Sequence, residues 1–133
     1  MSSPITNTKK LGNQGELFVS DHLQKLGFII CKMNYRKFFG EIDIIAHKKE
    51  LYIFVEVKTR TSSTVVPLEH LISISKQQKI IKTAQTFIAE QQLGHHIVYR
   101  FDVALLKPDQ NNFLMTYIPN AFINSSSRTY EYE

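Results

Sequence analysis

Cysteine is almost missing from this chain: Cys31 is the only one in 133 residues, so no internal disulfide can staple the fold. Long apolar runs are missing too, and nothing approaches the length needed to cross a bilayer as a helix. The opening MSSPITNTKK has neither the apolar core nor the small-residue cleavage site of a secretory signal. These absences set the expectation of a soluble protein in a reducing, cytoplasmic setting. There are no internal repeats and no linker. The histidines His22, His47, His70, His95 and His96 show no ligand spacing with cysteine, which argues against a zinc site. An extreme of charge is lacking as well: the net charge of +4 and pI near 9.2 favour a polyanionic partner but fall short of a pure charge clamp.

What is present is an ordinary globular composition, 43% hydrophobic and 21% charged, at a length that buries one core without staples. The reading is a single domain, 1–133, with an ordered core from about 9 to 123. Short polar tails at 1–8 and 125–133 are not expected to pack.

From Thr8 to Leu26, Leu11, Val19, Leu23 and Leu26 recur at helical spacing, widened by Phe18 and His22, and Gly27 follows as a stop. Glu16 lies at the edge of that stripe beside Gly12 and Gly15, which let backbone or ligand approach closely. Three segments rich in Ile, Val, Phe and Tyr follow, 28–35, 40–47 and 51–59, separated by short turns, and they read as a three-stranded meander. A polar loop covers 61–64, and 67–74 has no clear pattern. Ser75 with Gln78 reads as a capping box opening a second helix, whose stripe is Ile80, Ile81, Ala84, Phe87 and Ile88 and whose stop is Gly94. Strands at 99–106 and 113–118 complete an αβββαββ order, an α/β fold with a central mixed sheet flanked by helices; Phe101, Val103 and Leu105 share one side of the first of them.

Within that pattern the run GEIDIIAHKKELYIFVEVKTR sets acids where strands want aliphatic residues. Alternation places Tyr52, Phe54, Glu56 and Lys58 on one face and Ile53, Val55 and Val57 on the other. A two-residue turn at Lys49 and Glu50 sets Asp43 directly opposite Glu56. A turn at Lys48 and Lys49 sets Asp43 opposite Phe54, with Glu56 its diagonal neighbour. Either register gathers the acids on one face, and two carboxylates about 5 Å apart repel by roughly 3 kcal/mol at an effective dielectric of 20. Lys58 can offset part of this. A divalent cation such as magnesium suits the arrangement better, because it binds through a few carboxylates while keeping several waters. Glu16 offers a third acid. Such a cation would hold a phosphate, acidify water and stabilise phosphoryl charge, and Lys58 stands where it can orient that water or neutralise the transition state. The plainer reading of Glu-Val-Lys on an exposed face is a solvated ion pair; the aliphatic flanks Ile42, Ile44, Ile45, Phe54, Val55 and Val57 point instead to an enclosed acid face.

An acid on the first helix, an aspartate on the second strand and Glu-x-Lys on the third resemble the PD-(D/E)xK nuclease superfamily through Glu16, Asp43, Glu56 and Lys58. The motifs GNQGE, NYRKFFGEIDII, FVEVKTR, KQQKIIKTAQTFI and RFDVALL, in that order, are more closely similar to the bacterial YraN-type, endonuclease-like family, over about 12–123. The likeness to archaeal Holliday-junction resolvases is looser. The resemblance implies a restriction-endonuclease-like fold, magnesium (manganese as substitute) held by Asp43, Glu56 and the backbone carbonyl of Val57 with Glu16 assisting, and a nucleic-acid substrate, DNA in preference to RNA. The loop TSSTVV departs from it in lacking the glycine commonly seen before the proline equivalent to Pro67.

Among the remaining polar residues, Lys76, Lys79 and Lys82 recur along the second helix, and Lys76 falls in the first turn, where the helix dipole disfavours a cation and a phosphate would offset the cost. Gln77 joins it near the site. Arg36, Lys37, Arg60 and Arg100 are candidates to track a phosphate backbone. Glu41 either touches metal or pairs with a nearby arginine, and Asp102 is either a site residue or a salt bridge with Arg100. Tyr35, Phe38 and Phe39 can stack on bases or serve as core and cover. The expected function is a metal-dependent nucleic-acid phosphodiesterase of endonuclease or resolvase type acting on structured or damaged DNA, working as a monomer or as a two-fold homodimer. The alternatives are a non-catalytic nucleic-acid-binding module with a vestigial metal site, and a purely structural protein with ion-paired acids.

Overall fold

A computed structural model describes residues 8–61 and 66–124 of the chain. The expectations for the two tails, and for most of the loop at 61–64, fall outside these residues. The order is α1 (Thr8–Lys25), β1 (Ile29–Lys37), β2 (Gly40–Lys48), β3 (Leu51–Thr59), α2 (Leu68–Leu71), α3 (Ile74–Glu90), β4 (Val98–Asp109) and β5 (Asn112–Phe122). The expected αβββαββ is present, with the one-turn α2 added in the segment that carried no clear pattern.

The five strands lie in the order β1-β2-β3-β4-β5, antiparallel except for β3 and β4, which run parallel because α2 and α3 carry the chain back between them. The sheet is mixed and has a helix on each face, as in restriction-endonuclease-like folds. Below α3 lies a core of Ile80, Ile81, Ala84 and Phe87 with Ile42, Ile45, Phe54, Phe101 and Val103. Below α1 lies a second, of Val19 and Leu23 with Ile44, Ala46, Ile53, Val55, Ala104 and Leu106. Gly15 lets α1 sit directly on the strands: a Cβ there would come within 2.9 Å of Leu106 Cδ1 and 3.2 Å of Thr59 Oγ1.

The hairpin joining β2 and β3 turns at Lys49 and Glu50, with Lys49 at φ 53°. Lys48 pairs with Leu51 and Ile44 with Val55, so of the two registers it is the one that sets Asp43 toward Glu56. Helix ends differ from expectation in three places. Gly27, at φ 95°, ends α1 as expected, with Phe28 N–H donating to Leu23 O, but the chain has already turned at Leu26, which is half exposed rather than in the core. The cap of α3 is Ser73, whose side chain accepts from the Lys76 N–H at 3.1 Å, two residues before the expected Ser75. Its far end is closed by Gln92 at φ 54°, with Leu93 N–H donating to Ile88 O, so Gly94 is not the stop.

The last two strands run longer than their pattern suggested, and each passes through a proline. The β3 ladder with β4 ends at Thr59↔Leu106, so Pro108 lies where β4 has only β5 beside it. In β5, Pro119 and Asn120 (φ 51°) sit in an irregularity opposite Asp102.

Candidate active site

Asp43 owes its place to a reversal in two strands. In β1 and β2, Tyr35 and Ile42 pair and pack on the α3 side, whereas Met33 and Ile44 pair and pack on the α1 side. Regular alternation would put Ile42 and Ile44 on one face. The reversal falls between these pairs, at Asn34 and Asp43, and Asn34 adopts φ 53°, a left-handed conformation that asparagine tolerates better than most residues. Here β2 leaves the β3 ladder, whose last backbone pair is Ile44↔Val55, and the Asp43 carboxylate spans the gap by accepting the Val57 N–H at 2.8 Å on Oδ2.

Glu56, only 6% exposed, faces this point from β3. Burial first, and then the charge of Glu56, push the Asp43 pKa up to about 7, with Glu16 adding to the rise while the Val57 N–H and Lys76 oppose it. The cation beside the pair is Lys76 from the first turn of α3, whose Nζ lies 2.9 Å from Glu56 Oε1. Burial disfavours the Lys76 ammonium, but its hydrogen bond to Glu56 and that residue's charge outweigh this, and the lysine pKa is raised. The cost of a cation at a helix N-terminus is thus met within the protein by Glu56, where the sequence had suggested a phosphate. Lys58, half-buried, lies two residues along β3 on the Glu56 side by alternation and has no ion-pair partner among the described residues.

Glu16 reaches the neighbourhood from α1, where its Oε2 accepts from Asn34 Nδ2 at 2.8 Å. Asn34 opens the motif NYRKFFGEIDII but was given no role in the sequence; the signal was an asparagine inside a strand, where a left-handed residue is a common reason. Among the described residues no group of three or more His, Cys, Asp or Glu stands close enough to hold a metal. The donor set fits magnesium through two enclosed carboxylates and retained waters rather than through an all-protein cage. The Lys76 ammonium on Glu56 marks the spot as one that already holds a cation.

The basic candidates divide. Lys76 and Lys79 line a cleft of about 250 Å³ with Gly40, Glu41, Ser73, Ser75 and Ile80, next to the acid pair. Gly40 forms its floor so closely that a Cβ would meet Thr83 Oγ1 at 2.6 Å and Lys79 O at 3.1 Å. Arg36 pairs with Glu41 at 3.0 Å on the surface. Lys37 meets Glu90 at 2.6 Å, and the Tyr35 hydroxyl donates to the same carboxylate, an anchor on α3 that the sequence did not disclose. Gln77 is buried, its Nε2 donating to Ile72 O at 3.0 Å. Arg60, beyond the end of β3, donates its backbone N–H to Leu106 O at 2.7 Å.

Arg100 belongs to a different cluster. Its Nε lies 2.9 and 3.1 Å from the two carboxylate oxygens of Asp102, which is fully buried and also accepts from Tyr117 Oη at 2.5 Å and Asn120 N–H at 2.9 Å. Burial first, and then the hydrogen bond to Asp102, raise the Tyr117 pKa. Of the two readings for Asp102, the structural ion pair is the one found.

The profile of "Uncharacterised protein family UPF0102" matches residues 15–106, a span that includes Glu16, Asp43, Glu56, Lys58 and Lys76. The chain belongs to the UPF0102 family. A UPF0102 protein of Dictyoglomus turgidum is 41% identical over 119 residues, covering 87% of this chain and 99% of the relative. A UPF0102 protein of Clostridium botulinum strain Hall is 39% identical over 116 residues, covering 86% and 94%, and that of strain Loch Maree is 38% identical over the same length. The YraN-type resemblance is to this family. No helix among the described residues is long and apolar enough to cross a membrane.

Proposed function

We propose that this UPF0102 protein is a magnesium-dependent nucleic-acid phosphodiesterase of endonuclease or resolvase type, acting in the cytoplasm on structured or damaged DNA. The observation that carries this reading is the enclosed Asp43–Glu56 pair at the divergence of β2 and β3, with Asp43 held near pKa 7 and a lysine serving as counter-ion. Asp43, Glu56 and the Val57 carbonyl would hold the metal, manganese being a substitute, with Glu16 assisting from α1. When bound, magnesium supplies Lewis acidity to phosphoryl oxygens and to water. Lys58 orients the attacking water or neutralises charge in the transition state. With Glu56 engaged by a divalent ion, the Lys76 ammonium would be free to take a phosphate oxygen at the mouth of the cleft beside Lys79. Arg36, Lys37 and Arg60 guide the backbone without reading sequence, Arg36 and Lys37 exchanging the exposed carboxylates of Glu41 and Glu90 for phosphate, whereas Arg100 and Gln77 are committed to bonds with buried partners. A two-fold homodimer would present two such clefts to the two strands of a junction.

The Lys76–Glu56 pair also favours a second reading, a nucleic-acid-binding module whose acids are satisfied by lysine and turn nothing over. Cleavage of junction, flap, single-stranded and duplex substrates with magnesium or manganese separates the two, with Glu56→Ala as control. Cleavage by wild type that Glu56→Ala abolishes supports the enzyme; binding without cleavage supports the module; cleavage that survives Glu56→Ala rejects the site.

A further inference from the structure

The tip of the β1–β2 hairpin carries Phe38, which is 100% exposed, while no other exposed large apolar side chain among the described residues exceeds 63%. Turn positions of this kind ordinarily go to Gly, Asn, Asp or Ser, because an apolar ring gains nothing in water. The turn that carries it is nonetheless anchored. Phe39 packs edge-on against it with centroids 5.0 Å apart, and Lys82 Nζ of α3 sits 4.6 Å above the Phe39 ring. The next residue, Gly40, is seated on the Lys79 carbonyl and Thr83. The tip is therefore fixed to α3.

The surroundings choose the occupant. At the tip Phe38 has the half-buried Phe39 ring beside it and is preceded by Arg36 and Lys37, and the other exposed large apolar residue of the hairpin, Ile29, lies at its opposite end, whereas a protein-docking face requires a contiguous apolar patch of several hundred Å². Lys79 and Lys82, both exposed on the adjacent helix, have no carboxylate partner among the described residues. A flat apolar face beside unpaired cations matches a nucleobase attached to its phosphates, and base–aromatic stacking tolerates any sequence because every base has a π-face. In a closed duplex the base faces are already stacked on one another, so a lone protruding ring finds a partner only where a base is unpaired.

We propose that Phe38 is a stacking platform for an unpaired base and confers the preference for structured DNA, an inference that rests on the function proposed above and names its substrate class. From Phe38 to Asp43 five residues span at most about 17 Å, or roughly five stacked base steps. The cut falls within about five nucleotides of the unpaired base.

The sequence contains no tryptophan, so Phe38→Trp places a single reporter at the tip. The 133-residue chain, with EDTA to prevent turnover, is titrated by anisotropy with a DNA junction bearing one unpaired base and with the matching closed duplex. Wild type and Phe38→Trp should prefer the junction, with the indole emission of the Phe38→Trp variant quenched on binding. Phe38→Ala should lose about tenfold in junction affinity, keep its duplex affinity, and melt at the wild-type temperature because the side chain touches little. Unchanged junction affinity in Phe38→Ala, which is also the outcome if the ring serves a protein partner, overturns the proposal, and so does an equal loss on both probes. If wild type cleaves the junction while Phe38→Ala behaves identically, the nuclease reading stands and this inference alone falls. If wild type binds neither probe, both fall.

Discussion

Two aspartates on the same sheet, Asp102 buried and Asp43 half-buried, are treated in opposite ways. Asp102 receives Arg100, the Tyr117 hydroxyl and the Asn120 N–H, so its charge and lone pairs are matched by donors of the protein's own. Asp43 receives one backbone N–H and has Glu56 for a neighbour. A fully satisfied buried acid rigidifies a fold, whereas an acid pair left short of positive charge is unstable on its own account and ready for a cation. The contrast separates an acid that holds the structure together from acids kept at some cost to it, and mutations at the two places should therefore differ in kind.

The largest expected effect is on activity. Glu56→Gln should lower cleavage roughly 10³-fold while leaving the urea midpoint unchanged or higher, and NMR titration should show the Asp43 pKa falling from about 7 as the like charge disappears. If this variant unfolds instead, Glu56 belongs with Asp102 and the contrast breaks. Asp102→Ala should cost about 3 kcal/mol in urea unfolding, since Arg100 and Tyr117 lose their acceptor, while activity per folded molecule persists.

The pH dependence sharpens the comparison further. With a folded pKa of about 7 against an ordinary 3.8, Asp43 keeps its proton in the native chain after the unfolded chain has released it. Its contribution to stability is therefore fully present below about pH 4 and is lost as pH rises to about 7. Asp43→Asn should remove that decline and be more stable than wild type by about 1–2 kcal/mol at pH 8, as read from urea midpoints across pH 5–8. A steeper decline in the variant would mean that the neighbouring positive charge dominates at Asp43. The smallest effect concerns the internal counter-ion: Lys76→Met should bind manganese about fivefold more tightly by calorimetry in the absence of nucleic acid, because no ammonium competes for Glu56. Weaker binding would make Lys76 a partner of the metal rather than its rival.

Much of this was open to reading in the sequence because it depends on local rules. Gly27 announces the end of α1, alternation separates Phe54 and Glu56 from Val55 and Val57, and two hairpin turns restrict the register of Asp43 to a pair of choices. What stayed hidden depends on contacts across the fold. Lys76 and Glu56 meet only after the parallel crossover, and Glu90 captures Lys37 and Tyr35 from a helix more than fifty positions away. Asn34 reverses two strands through a backbone angle that no apolar periodicity encodes. The last two strands were read short of Pro108 and Pro119, both of which lie within them, since proline forbids a hydrogen bond only where a neighbouring strand asks for one.

Pro119 carries no N–H, and Asn120 directs its own inward to Asp102. One of the two edge strands, β5, thus offers two consecutive residues with no outward donor, and a foreign polypeptide cannot zip along that margin without losing its register. A bond that satisfies a buried acid on one side also guards this edge against fibrillar self-association on the other.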